Sequence, residues 1–252
     1  MNTKPLADRM RPQTFSEVVG QKHLVSENGI LKKLCDNGRI PNMIFFGPPG
    51  TGKTTVANII AKASGMQLHK LNATTASLSD VKEVISSTDG MLSQNGTLLY
   101  LDEIQYFNKK QQQSLLEIIE NGKLTLIAST TENPYYYVYN ALLSRSSVFE
   151  FKSVTPEDCI PSLMRAISIL NSDFGDNKTA DEKVLRAIAS AAGGDVRMSI
   201  GILENAFYIS DKEITVDTVS QLLPTVAGHY DRDGDSHYDL LSCLQKSIRG
   251  SD

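Results

Sequence analysis

Residues 47–54 form a glycine-rich stretch whose residue types and spacing suit phosphate binding. The stretch matches G-x-x-x-x-G-K-[ST] at every fixed position and reads Gly47-Pro48-Pro49-Gly50-Thr51-Gly52-Lys53-Thr54. Its glycines let successive backbone N–H groups face an anion, and a helix starting here points its positive end at the same place. Lys53 can reach the outer phosphates as a point charge, and the Thr54 hydroxyl can ligate Mg²⁺. We therefore predict that all eight residues bind a nucleotide.

Two acidic residues follow a strongly apolar run. Asp102 and Glu103 come directly after Thr97–Leu101, which has the continuous apolar character of a buried parallel strand. In phosphate-loop ATPases an acid at this place holds the Mg²⁺ shell, and a neighbouring acid can orient and deprotonate the attacking water. Asp102 is thus the predicted second metal ligand and Glu103 the predicted catalytic base. The alternative is a pair of solvated turn acids.

Polar residues also follow the next apolar run. Thr130, Thr131 and Asn133 come after residues 124–129. The carboxyl ends of neighbouring parallel strands face one crevice, so a hydroxyl or amide here could sense the γ-phosphate or position water. Thr131 is the first candidate for that catalytic role. Ordinary turn chemistry before Pro134 is the alternative interpretation.

Two arginines and a tyrosine cluster are further candidates. Arg145 precedes the last short strand, and the residues around it do not distinguish it from a surface cation. Arg197 follows Gly193-Gly194-Asp195, which should end one helix and cap the next. A cation in a first helical turn opposes the helix dipole by a few tenths of a kcal/mol, so a phosphate partner would explain it.

The tyrosines at positions 135, 136, 137 and 139 follow Pro134. Exposed tyrosines could stack on nucleobases. No cationic run interleaves with them, so packing against the chain's own surface is the favoured interpretation.

Apolar strand-like runs alternate with helix-like segments through the first part of the chain. The runs cover Met43–Phe46, Met66–Asn72, Thr97–Leu101, Leu124–Ser129 and Val148–Phe151. This alternation predicts an α/β fold with a parallel sheet and helices on both faces. Before the sheet, residues 7–12 are predicted to be extended, Ser16 could cap a short helix, and one helix should run from His23 to Asn37, where Gly38 and Pro41 end it.

From Thr155 onwards the pattern predicts helices only, beginning near Thr155, Thr179, Asp195 and Thr215. Thr155, Pro156 and Asp158 have the arrangement of a helix start. We therefore predict an α/β core over residues 1–153, a small all-helical domain over 154–223, and the start of a further helical region over 224–252.

The composition of the chain gives limited information about its binding partners. Hydrophobic residues make up 40% of the 252 residues, charged residues 21%, and the net charge is −4. No bulk basicity signals nucleic acid, so DNA contacts would come from local patches or an assembled surface. The three cysteines are scattered, no apolar run reaches membrane-spanning length, and no signal peptide is recognisable. These features predict a cytoplasmic protein without membrane partners, with no metal beyond Mg²⁺.

Taken together, the motifs resemble AAA+ ATPases of the clamp-loader clade, and specifically the replication-associated recombination protein A family. The resemblance covers essentially the whole chain. It rests on Pro5–Pro12, Val19-Gly20-Gln21, Gly47–Thr54, Leu101–Ile104, Phe107-Asn108-Lys109, Thr130–Pro134, Ala141–Arg145, Gly194-Asp195 with Arg197, and Tyr230–Asp239.

The resemblance implies roles that the residues alone do not give. It implies ATP and Mg²⁺ as cofactors, and an adenine pocket lined by Arg11-Pro12 and Val19-Gly20. Arg145 would be an arginine finger for a neighbouring subunit, and Arg197 a sensor of its own subunit's γ-phosphate. Family members act on DNA ends and single-stranded regions at stalled forks, work with single-strand-binding protein, and form oligomers, typically tetramers.

The chain departs from the family pattern in places. Gln105-Tyr106 stands where a His-Arg pair is usual, and Glu117 replaces a helix proline. Family proteins also continue well beyond residue 252 into a helical oligomerisation domain. This chain is therefore expected to be a fragment that holds the ATPase core (1–153), the helical lid (154–223) and the start of that domain (224–252), and that could be monomeric. The alternatives are a clamp-loader subunit, a branch-migration motor and, in another class, a scaffold that binds ATP without hydrolysing it.

Overall fold

The structure is a computed structural model that describes residues 4–88, 96–122 and 124–222. Its helices are α1 Leu6–Arg9, α2 Lys22–Val25, α3 Ile30–Asp36, α4 Lys53–Ser64, α5 Leu78–Thr88, α6 Lys109–Glu120, α7 Pro134–Tyr137, α8 Asn140–Leu143, α9 Pro156–Phe174, α10 Glu182–Ala191, α11 Val196–Ile209 and α12 Val216–Leu222. Short 3-10 turns cover Phe15–Glu17 and Ile104–Tyr106. Its strands are β1 Met43–Phe46, β2 Gln67–Asn72, β3 Thr97–Asp102, β4 Thr125–Thr130, β5 Ser147–Glu150, β6 Thr179–Ala180 and β7 Glu213–Ile214.

The five longer strands form one parallel sheet in the order β2-β3-β4-β1-β5. The predicted strands are therefore confirmed, with ends that differ by one residue at most. Because the strands are parallel, the ends of β1, β3 and β4 lie at one edge of the sheet, and each is followed there by a predicted site segment.

Successive residues of the strands point into two separate apolar cores. On one face, Met43, Phe45 and Tyr100 pack with helix α4 and with residues of α2 and α3. On the other face, Ile44 and Leu101 pack with residues of α5, α6 and α8. Helices cover both faces, as the continuous apolar strand pattern predicts.

A third core joins the helices that follow the sheet. Helices α9, α10, α11 and α12 share it with Leu6 and Met10 of the N-terminal segment. The helical lid is confirmed, but the prediction of helices only is wrong in one detail. Residues 179–180 form strand β6, which pairs in parallel with β7, and the next helix starts at Glu182 with Asp181 as its cap.

The N-terminal predictions need three corrections. Residues 6–9 are helical, since Leu6 and Met10 lie four residues apart and bury one face against the lid. Ser16 lies inside a short turn whose cap position is Thr14. The helix predicted over 23–37 is two helices, because Gly29 approaches Leu24 so closely that a Cβ there would lie 2.4 Å from the Leu24 carbonyl oxygen.

The predicted third region, 224–252, lies outside the described residues. No helix in the described part of the chain is both long and apolar enough to span a membrane.

Candidate active site

The loop between β1 and α4 has the backbone of an anion cradle. Gly47, Gly50 and Gly52 have φ values of 138°, 66° and 100°, which favour glycine. A Cβ on Gly47 would lie 1.9 Å from the Phe151 carbonyl oxygen, so no side chain fits there. Gly52 precedes the first turn of α4, which starts at Lys53 and directs its N-terminus into the loop.

Lys53 is folded back onto the loop that it belongs to. Its ammonium donates to the carbonyl oxygens of Gly47 and Pro48 at 2.6 and 2.8 Å, and the side chain is buried. The pKa of Lys53 is lowered from its ordinary value, because the effect of burial is larger than the opposing effect of the charges of Glu103, Asp102 and Asp195. A phosphate entering the loop would offer this ammonium a charged partner in place of two carbonyl oxygens.

The loop opens into a cleft of about 210 Å³ between the sheet edge, the N-terminal segment and the lid. Most of the residues predicted for nucleotide binding and catalysis line it, namely Arg11, Pro12, Val19, Pro49, Gly50, Thr51, Gly52, Lys53, Thr54, Asp102, Glu103, Thr131 and Arg197. Gly20 does not; it lines a neighbouring larger cleft, where a Cβ would contact Val154 at 3.3 Å. Segments far apart in sequence thus share one cleft.

The two predicted Mg²⁺ ligands face each other across a buried tyrosine. The Tyr100 hydroxyl lies 3.0 Å from Thr54 Oγ1 and 3.2 Å from Asp102 Oδ1. Burial, and then the charge of Asp102, raise the pKa of Tyr100 well above its ordinary value, so the phenol stays neutral. A hydroxyl and a carboxylate oxygen that converge in this way fit Mg²⁺, which takes one or two protein oxygens and completes its shell with phosphates and water.

The Glu103 carboxylate is held by two side-chain donors. Gln105 Nε2 donates to Glu103 Oε2 at 2.6 Å, and Thr131 Oγ1 lies 3.4 Å from the same oxygen. Glu103 itself has a φ of 55° in the left-handed region, which few L-residues adopt. A backbone conformation of this kind persists only where the surrounding structure holds the residue in place, and it is often found at functional sites.

The lid contributes Arg197 and closes on the phosphate loop. Asp195 accepts from the Met198 N–H at 2.9 Å and so caps helix α11, which places Arg197 in its first turn as predicted. A Cβ on Gly50 would lie 1.9 Å from Asp195 Oδ1, and the Val196 N–H donates to the Gly50 carbonyl oxygen at 3.3 Å. The lid therefore contacts the loop directly through backbone that only glycine permits.

Arg145 lies outside the cleft. Its Nε pairs with Glu120 at 2.5 Å, and its Nη1 donates to the Ala141 carbonyl oxygen at 3.1 Å. Both groups are about half exposed, so the pair stabilises little. Arg145 does not line its own chain's cleft.

The tyrosines after Pro134 do not pack as the sequence suggested. Tyr135, Tyr136 and Tyr137 are 64%, 83% and 52% exposed. Helix α7 is a single turn that buries Pro134 and turns these three side chains outward. The favoured packing interpretation is wrong for them, while Tyr139 is half-buried beside the Lys109 ammonium.

Four side chains at the site were not among the predicted functional residues. They are Tyr100, Gln105, Ser129 and Asp195. A signal existed for Tyr100, which carries a hydroxyl inside an otherwise apolar strand. Gln105 departs from the family pattern, but its contact with Glu103 could not be predicted, because a sequence pattern does not show which way a side chain points.

Two family models match the chain, one over the sheet region and one over the helical region that follows it. A family model described as "ATPase family associated with various cellular activities (AAA)" matches residues 43–154. A second, described as "AAA C-terminal domain", matches residues 175–249. Among curated proteins, the replication-associated recombination protein A of Bacillus subtilis is 38% identical over 257 residues, 99% of this chain. That of Escherichia coli K12 is 36% identical over 98% of this chain.

This chain belongs to the replication-associated recombination protein A family of AAA+ ATPases. Another relative of the family, the ATPase WRNIP1 of Dictyostelium discoideum, is 35% identical over 98% of this chain. The chain spans 60%, 57% and 31% of the lengths of these three relatives.

Solved structures extend the fold comparison beyond the family. The Thermotoga maritima RuvB Holliday junction branch migration motor has a TM-score of 0.70 over 96% of this chain and 81% of that chain. Its sequence identity is 21%, so this likeness concerns the fold alone.

Proposed function

We propose that the chain is a Mg²⁺-dependent ATPase that acts on DNA at stalled or damaged replication forks. The observation that carries the proposal is the convergence of Lys53, Thr54, Asp102, Glu103 and Arg197 on one cleft. The names of the relatives, which link them to replication-associated recombination, supply the process.

The residues of the cleft suit phosphoryl transfer to water. The phosphate loop and Lys53 would hold the nucleotide phosphates, and Thr54 with Asp102 would hold Mg²⁺, whose charge offsets that of the phosphates. Glu103 would orient and deprotonate the attacking water, with Thr131 beside it. Arg197 would contact the γ-phosphate from the lid, and Arg145 would act on a neighbouring chain.

Two alternatives share this machinery. A branch-migration motor would have the same fold, as the RuvB structure does, but the identity of 21% is well below the 36% to 38% of the replication-associated relatives. A clamp-loader subunit would share the same core motifs, but the relatives reported above are named for replication-associated recombination. A non-hydrolysing scaffold would not need a base, and the contacts made to Glu103 argue against it.

The partners follow from the family and are proposals. DNA with single-stranded regions, single-strand-binding protein and further copies of the chain are the partners that we propose. The bacterial relatives suggest the cytoplasm, near the nucleoid, as the location.

ATP turnover with and without forked DNA tests the function. We expect Mg²⁺-dependent turnover that rises when a fork with single-stranded arms is added. Lys53→Ala should abolish tight ATP binding and turnover, because it removes the positive charge that would contact the outer phosphates. Arg186→Ala is the matched control, since Arg186 pairs with Glu157 and Glu182 on the lid surface, away from the cleft.

Three results would count against the proposal. Turnover that Lys53→Ala retains would remove the cleft as the site, and binding without turnover under all conditions would favour the scaffold. Stimulation by Holliday junctions but not by forks would favour the branch-migration motor.

A further inference from the structure

The Tyr100 hydroxyl lies in the sheet interior among polar groups from three elements. Tyr100 is 1% exposed, and its hydroxyl is 2.8 Å from Ser129 Oγ on β4, 3.0 Å from Thr54 Oγ1 on α4, and 3.2 Å from Asp102 Oδ1 on β3. Ser129 also donates to Asp102 Oδ1. A phenylalanine would fill the same space, so the hydroxyl needs a reason, because burying a hydroxyl costs free energy unless it has partners.

The protons of this cluster can be assigned from its chemistry. The Asp102 carboxylate only accepts, so Ser129 donates its single proton to it. Ser129 then accepts from Tyr100, whose closest neighbour it is at 2.8 Å. The Tyr100 oxygen is left to accept from Thr54. The hydrogen bonds therefore run in one direction, Thr54 to Tyr100 to Ser129 to Asp102, and each hydroxyl donates once.

This direction has a consequence for metal binding. A hydroxyl that ligates a cation does so through a lone pair of its oxygen, and the cation makes its proton a stronger donor. The Thr54 proton already has an acceptor in Tyr100, so the lone pairs of Thr54 Oγ1 are free for a ligand in the cleft. At the other end, Ser129 fixes one Asp102 oxygen and leaves the second available.

We propose that Tyr100 is a positioning residue for Mg²⁺ binding. Its hydroxyl accepts a hydrogen bond from Thr54 and donates one to Ser129, and in this way it holds Thr54 and Asp102 in their metal-binding orientations. The inference rests on the proposed function, in which Thr54 and Asp102 are the protein ligands of Mg²⁺. Groups that orient metal ligands typically change metal affinity or activity by roughly 10- to 100-fold when they are removed.

The test is Tyr100→Phe in the 252-residue chain, which removes the hydroxyl and keeps the ring. The affinity for a non-hydrolysable ATP analogue is measured in Mg²⁺ and in EDTA. We expect the gain in affinity that Mg²⁺ provides to fall by about tenfold, while the affinity in EDTA stays unchanged. The affinity for Mn²⁺, measured by electron paramagnetic resonance in the presence of the same analogue, should fall in parallel.

Two further variants make the result decisive. Ser129→Ala breaks the same path at its next step and should reduce the Mg²⁺ gain in the same direction. Tyr139→Phe removes a phenol hydroxyl outside the cleft and should leave the gain intact. If Tyr100→Phe does not fold, Ser129→Ala decides the question alone.

Failure of this inference is separable from failure of the proposed function. A wild-type gain that Thr54→Ala abolishes but Tyr100→Phe and Ser129→Ala retain overturns the role of Tyr100 only. Equal losses in Mg²⁺ and EDTA also overturn it, because they show a structural hydroxyl. A wild-type chain with no Mg²⁺ gain overturns the metal assignment and the inference together.

Discussion

Glu103 combines an unusual backbone with a heavily used side chain. Its φ of 55° costs of the order of 1–3 kcal/mol for a residue with a Cβ. One carboxylate oxygen accepts from Gln105, with Thr131 nearby, and the other has no such contact among the described residues. A strained residue whose one oxygen is fixed and whose other is available fits a base that must orient water.

Glu103→Gln tests this role. The amide keeps the size of the side chain and loses its basicity, so we expect ATP binding to persist while turnover falls by roughly 10²- to 10⁴-fold. Nucleotide titration and steady-state turnover measure the two effects separately. Glu117→Gln, an exposed glutamate on α6, is the control and should change neither. Normal turnover in Glu103→Gln would show that another group activates the water.

Helix α11 is the element that connects the lid to the loop at residues 47–54. Its cap residue Asp195 touches the phosphate loop at Gly50, and its first turn carries Arg197 into the cleft. No hydrogen bond or ion pair ties the Arg197 guanidinium among residues 4–88, 96–122 and 124–222. A charge kept without a partner next to a phosphate loop is available to a third phosphate.

Arg197→Ala should therefore separate ATP from ADP. We expect the affinity for a non-hydrolysable ATP analogue to fall by roughly tenfold, the effect of one charge-assisted hydrogen bond, with a smaller change for ADP. Calorimetric titration of both nucleotides gives the comparison, with Arg186→Ala as the lid-surface control. Equal losses for the two nucleotides would make Arg197 a structural arginine.

The elements also show what a sequence can and cannot predict. The five sheet strands were predictable because each is a continuous apolar run, and the phosphate loop because its motif fixes both backbone and chemistry. Strand β6 was not, since its two residues are a strand only through pairing with β7, more than thirty residues later. The contacts of the Tyr100 hydroxyl were not predictable for the same reason, because its partners come from α4 and β4.

At the scale of the whole molecule, the position of Arg145 outside its own chain's cleft is informative. It lies outside its own cleft, held by Glu120 through a half-exposed pair that costs little to break. A catalytic arginine supplied by a neighbouring molecule contributes roughly 10³ to 10⁵ in rate in related phosphoryl transfers. If Arg145 acts in this way, a single chain binds ATP and hydrolyses it slowly, and the complete site exists only between chains.

Two variants that are each inactive should then restore activity when mixed. Arg145→Ala keeps the cleft and loses the arginine, while Lys53→Ala loses tight ATP binding and keeps Arg145 for a neighbour. We expect the mixture to turn over ATP faster than either variant alone at the same total concentration. Wild-type specific activity should also rise with concentration, because pairs of chains form more often. A monodisperse monomer with full, concentration-independent turnover would contradict the assignment and leave Arg145 as a surface cation paired with Glu120.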